Sequence, residues 1–125
     1  MTRKIPTALN VHKASKELGV QYSASENYRL SAEFLRVLSP SAEVRGHGNP
    51  VLQTGKRHVS IVAVEAIGHY AIKIMFDDGH DSGIYNWDYL SDLCLNQSSY
   101  WDDYIESLHS ANASRDPGVS IVRLS

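Results

Sequence analysis

Ala71-Ile-Lys-Ile-Met-Phe-Asp-Asp-Gly-His-Asp-Ser-Gly-Ile-Tyr-Asn-Trp-Asp-Tyr-Leu90 carries a strand, a tight turn, a return strand and a helix start. Ile72, Ile74 and Phe76 alternate onto one face of the first strand. Asp78-Gly79 is a strong turn signal, because glycine reaches the backbone angles a tight hairpin needs. Gly83 to Tyr85 can then return antiparallel. Asn86 is placed to cap a helix whose stripe is Trp87, Leu90, Leu93 and Cys94. Tyr85 and Leu90 flank that cap as a hydrophobic staple. Trp87 is therefore expected in the core.

Upstream, Val59 to Ile67 is β-branched and pairs naturally with Ala71 to Phe76 across Gly68 and His69. Ala8 to His12 and Glu17 to Tyr22 alternate as a hairpin turning near Ala14 and Ser15, and Asn27 to Leu30 adds a short strand. Ser31 caps a helix to Leu38, with Leu30 and Leu35 as its staple and Pro40 as its stop. Ser99 is expected to cap a last helix carrying Trp101, Tyr104, Ile105 and Leu108, with Asp102 and Asp103 in its first turn. Residues 110–118 are rich in Ser, Asn, Asp, Pro and Gly and are expected to be loose. The fold class is α+β: a small antiparallel sheet packed against two or three helices in a single domain.

Size and charge narrow the function. The chain has 125 residues and a mass of 13.9 kDa. Such a chain buries roughly two thirds of its unfolded surface, enough for one core. Apolar residues are 42% and charged residues 21%, which excludes a disordered composition. The net charge of -2 supplies no global excess to hold nucleic acid. One cysteine allows neither an internal disulfide nor a multi-cysteine cluster. The start carries no signal-peptide core, and the most apolar stretch, Val59 to Gly68, is about half a bilayer span. A cytoplasmic protein without membrane contact is expected. No pattern specifies an oligomeric state.

From Ser39 to His58 periodicity vanishes, and long irregular loops are often functional. This one concentrates Arg45, His47, Lys56, Arg57 and His58, which makes it locally basic and suited to an acidic protein surface. It is not a phosphate loop, because Gly48 and Gly55 lie too far apart and Arg57 stands where a hydroxyl should hold magnesium. Asp77-Asp78-Gly79-His80-Asp81 gathers carboxylates and an imidazole, as divalent metals prefer, yet a solvated turn selects the same residues. None of the six histidines is followed by Asp two places on, so the usual oxygenase signature is missing. Gly79 to Gly83 is not a nucleophile elbow. Cys94 sits on an apolar stripe, the setting of an inert packed thiol.

Three segments together carry a family resemblance: Leu35 to Arg45 (Leu-Arg-Val-Leu-Ser-Pro-Ser-Ala-Glu-Val-Arg), Ile67 to Ile72, and Phe76 to Leu90. They resemble the gamma-butyrobetaine hydroxylase-like N-terminal domain, in its small standalone bacterial form, over residues 6–95. Residues 96–125 form an accessory helix and tail outside it. In carnitine-synthesis dioxygenases this domain precedes the catalytic barrel and holds a structural zinc through three cysteines and a histidine. The resemblance aligns those cysteines with Ser39, Ser41 and Val44, and the histidine with His80. It thus implies the fold, while serine and valine argue against zinc. The catalytic residues belong to the barrel, so none carries over and no enzyme is expected. The domain is also fused to iron–sulfur carrier ATPases of the Mrp type, an association with metal-cofactor assembly. The leading expectation is a non-catalytic binding or adaptor module with no cofactor, acting on a protein partner such as an iron–sulfur carrier ATPase or an oxygenase. Its surface would be Arg45, His47, Lys56, Arg57 and His58 with the hairpin around His80. The alternative is a metal-binding protein, with His80, His47 and nearby carboxylates holding iron or another divalent ion.

Overall fold

The computed structural model describes residues 4–41, 44, 50–119, 121, 122 and 124. Two three-stranded antiparallel sheets and three helices make up the described residues. The first sheet, in the order β1-β2-β3, consists of Ala8–His12, Glu17–Gln21 and Asn27–Ser31. The second, in the order β4-β5-β6, consists of Ile61–Ile67, Ala71–Phe76 and Gly83–Asn86. Helix α1 is Ala32–Val37, α2 is Trp87–Leu95 and α3 is Gln97–Ser110. The expected α+β class holds, with the antiparallel strands divided between two sheets.

Local sequence explains most boundaries. Ser31 accepts the Phe34 N–H at 3.0 Å and Asn86 accepts the Tyr89 N–H at 2.8 Å, so both side chains satisfy a donor that the first helical turn leaves free. The Asp78-Gly79 turn has Gly79 at φ +89°, a conformation that L side chains resist. The β1–β2 register, from Ala8 opposite Gln21 to His12 opposite Glu17, leaves residues 13–16 as the turn.

The last helix begins at Gln97, two residues before the expected Ser99 cap. Only Asn96 separates it from α2, ending one helix and starting the next. The Asn96 carbonyl accepts the Tyr100 N–H at 3.1 Å, so the backbone opens the helix without a side-chain cap. Asp102 and Asp103 consequently lie beyond the first turn. Tyr104 and Leu108 bury this helix against Val37, whereas Ile105 is exposed.

One core joins both sheets to α1 and α2. Leu18, Leu30, Phe34, Leu35, Ile74 and Leu90 are among its fully buried members, and both expected staples, Leu30 with Leu35 and Tyr85 with Leu90, are inside it. Tyr85 and Tyr89 donate their hydroxyls to the carbonyls of Leu35 and Leu38. Those carbonyls lie at the C-terminal end of α1, where helical donors run out, so two tyrosines from the β6–α2 corner complete a helix distant in sequence. No described helix is long and apolar enough to cross a membrane.

Candidate functional site

His80 is 4% exposed, at the end of the turn that follows β5. Its Nε2 lies 2.8 Å from Ser39 Oγ and 3.2 Å from Ser41 Oγ. Ser39 is wholly buried, and the Ser41 N–H points back to the Ser39 hydroxyl at 3.4 Å. Val44 closes the turn through its N–H on the Ser41 carbonyl at 3.1 Å and is itself buried. A Cβ on Gly83 would stand 2.5 Å from Ser39 Oγ, so glycine at the start of β6 makes room for that serine. The segment after α1 is thereby pinned to the β5–β6 hairpin by hydrogen bonds to one imidazole.

The donor set around His80 Nε2 is a poor fit to zinc. Two hydroxyls and an aliphatic side chain stand where thiolates would be needed, and neutral serine is a poor zinc ligand. An ion at His80 Nε2 would have to displace both serines. Among the described residues no group of three or more His, Cys, Asp or Glu is placed to hold a metal ion. His47, the other expected ligand, lies outside the described residues, as does Arg45.

Beside the histidine, Asp78 gathers charge. Its Oδ2 accepts Arg36 Nε and Lys56 Nζ, each at 2.8 Å, and its Oδ1 accepts the His80 N–H at 3.1 Å. Arg36, buried at 7% exposure despite its charge, also donates to Gln53 Oε1 at 3.1 Å. Partial burial pushes the Asp78 carboxyl up, but Lys56, the His80 N–H and Arg36 together outweigh it and hold the group down at about 2. The stabilisation is fully present above the unfolded-state value of about 3.9 and disappears as pH falls through the folded value. Asp78→Asn should therefore cost on the order of 1 kcal/mol near neutral pH, discounted for the exposed part of the side chain, with the gap closing by about pH 2. Urea titrations of both proteins across that range check it; a gap that stays constant to about pH 2 contradicts the assignment.

Of the cations expected on a partner-binding surface, Lys56 is thus tied to the hairpin. Arg57 pairs with Asp116. His58 is exposed, and its carbonyl accepts Lys16 Nζ at 3.1 Å. The loop and the hairpin do come together, through Asp78. Burial pushes the Cys94 thiol up to about 11, so it stays protonated at neutral pH.

Two features escaped the sequence reading. The first is Glu33, 5% exposed, which binds Arg115 through both carboxylate oxygens and accepts the Tyr104 hydroxyl at 2.9 Å. Arg115 also lies 5.0 Å above the Trp101 ring. Nearby, Ser114 and Arg115 offer their carbonyls to the N–H groups of Gly55 and Arg57, each at 2.9 Å, inside the stretch expected to be loose. The only sequence signal was a pair of charges, Glu33 and Arg36, within one turn of an otherwise apolar helix. The second feature is a cleft of about 250 Å³ between the end of α1, residues 50–53 and α3.

Comparison with known proteins gives a family and a fold. The family described as gamma-butyrobetaine hydroxylase-like, N-terminal, matches residues 9–91. A protein known by NMR solution structure is 55% identical, with 98% of each chain covered and a TM-score of 0.86. A second NMR solution structure is 44% identical, covering 100% of this chain and 98% of the other, at a TM-score of 0.77. A crystal structure from Acidithiobacillus ferrooxidans ATCC 23270, a protein of unknown function in the DUF971 family, is 37% identical over 73% of this chain and 93% of its own, at a TM-score of 0.62. No curated protein matches. The alternating β5 face, the glycine turn and the asparagine-capped helix agree with this match, and the chain belongs to the gamma-butyrobetaine hydroxylase-like, N-terminal family.

Proposed function

We propose that this chain is a non-catalytic binding module that acts through a protein partner. The observation that carries the reading is the Asp78 clamp: Lys56 from the basic loop and Arg36 from α1 meet one hairpin carboxylate at 2.8 Å. It joins loop and hairpin into one face, and the serine–histidine bonds pin the segment after α1 to the same hairpin. A surface ordered before contact loses less entropy on binding than a floppy loop would. Lys56 and Arg57 keep part of their side chains in solvent, at 22% and 40% exposure, so they can steer toward an acidic partner. The fusions of this scaffold make an iron–sulfur carrier ATPase and an oxygenase the first partners to examine.

Affinity purification with wild type and with an Arg45→Ala/Lys56→Ala/Arg57→Ala variant tests the surface. The expected result is loss of a partner from the variant's list, with an unchanged circular dichroism spectrum. Identical lists would remove this face from consideration.

A further inference from the structure

The cleft beside α3 has a chemistry of its own. Val37, Leu38 and Leu52 supply apolar walls, and Tyr89, Tyr100 and Tyr104 line it with aromatic rings. Among the described residues on its lining the one charged side chain is Asp103, which the helical spacing of Tyr100, Asp103, Tyr104 and Ser107 places on the cleft side of α3. Several charges on the neighbouring elements are already engaged. Arg36 and Lys56 share Asp78, Glu33 is held by Arg115, and Asp92 accepts the Tyr100 hydroxyl. Asp103 has neither a hydrogen-bond nor an ion-pair partner among the described residues.

Size selects the kind of occupant. Pockets for drug-sized molecules run from about 300 to 1,000 Å³. At about 250 Å³ this cleft falls below that range and suits a single large side chain. The side chain must pass an apolar stem along Val37, Leu38 and Leu52 and end in a positive charge at Asp103. Tyrosine rings favour the same ending, because their π faces attract ammonium groups. Lysine has that shape: a four-carbon stem that packs on apolar surface and an ammonium head that stays near water.

We infer that the cleft receives a lysine side chain from a partner protein, with Asp103 pairing with its ammonium. The inference rests on the binding-module reading and adds the chemistry of one contact.

The test is an NMR titration of the intact protein with the peptide acetyl-Ala-Ala-Lys-Ala-Ala-amide. Two controls replace lysine by norleucine or by Nζ-acetyl-lysine. The lysine peptide should saturate shifts at the amides of Leu52, Tyr100 and Asp103, and the neutral peptides should bind about fivefold more weakly. Asp103→Asn, a change at an exposed helical position, should bring the lysine peptide down to the neutral level. Equal binding of all three peptides, or shifts confined elsewhere, would overturn the inference. Tighter binding of butylammonium than of the peptide would assign the cleft to a free amine and overturn the protein source. A failed peptide alongside a partner still lost by the triple-alanine variant would remove the cleft assignment and leave the binding-module reading standing.

Discussion

Trp87→Ala should lower the unfolding free energy by about 3–5 kcal/mol, the range for deleting a large buried aromatic. Trp87 opens α2, is 8% exposed and belongs to the core that joins both sheets. Its indole Nε1–H donates to the His69 carbonyl at 2.7 Å, so the ring ties the helix start to the β4–β5 turn. Two losses combine in the alanine variant: apolar burial and the cavity left in the core by the ring. Trp87→Phe keeps most of the apolar volume and gives up the hydrogen bond, so it should cost on the order of 1 kcal/mol from that source. The two variants together separate packing from tethering. Urea denaturation followed by circular dichroism checks both, through the midpoint at unchanged slope. A midpoint for Trp87→Ala equal to wild type would place the ring outside the core. With stabilities of about 5–15 kcal/mol typical of single domains, the alanine variant should remain mostly folded in water.

The parts of this molecule that were legible in the sequence are those decided within a few residues. Ser31 and Asn86 cap because a short side-chain oxygen reaches an amide three positions on. The β5 face follows from side-chain alternation, and the turn after it from the need for positive φ at Gly79. Where the outcome depended on distant partners, local pattern failed. Ser99 looks like a cap, yet Asn96 opens the helix because α2 delivers it there and Tyr104 and Leu108 find a surface to cover. Glu33 and Arg36 read as the polar side of a short helix, but all six residues of α1 are buried. Their partners, Arg115 and Asp78, lie 82 and 42 positions away, so no local window contains the pair. His80 stands out in the sequence through the Asp77–Asp81 cluster and through the family resemblance. Its turn alone is better explained by backbone geometry, and only the fold brings Ser39 and Ser41 to its ring. The cleft draws its walls from α1, residues 50–53, α2 and α3, and no single stretch announces it.

Arg115→Ala should cost about 3 kcal/mol, at the lower end of what breaking a buried ion pair costs. The asymmetry of the pair decides the sign and the size. Glu33 is 5% exposed in the side chain and Arg115 28%, so removing the arginine leaves the more deeply buried charge behind. That carboxylate would keep one donor, the Tyr104 hydroxyl. Removing Glu33 instead frees a cation that can turn to water, so Glu33→Gln should be the milder change. Arg115→Lys keeps the charge but replaces a two-pronged donor by a point charge, and should recover only part of the loss. A double-mutant cycle between Glu33→Gln and Arg115→Ala isolates the coupling. The same arginine anchors the segment that receives Gly55 and Arg57, so the damage should spread beyond the pair. Hydrogen exchange at the Gly55 and Arg57 amides should accelerate in Arg115→Ala, while Ile74, in the middle of β5, slows or quickens only with global stability. If those two amides keep their wild-type protection relative to Ile74, the backbone contacts hold the segment by themselves, and Arg115 contributes stability without positioning it.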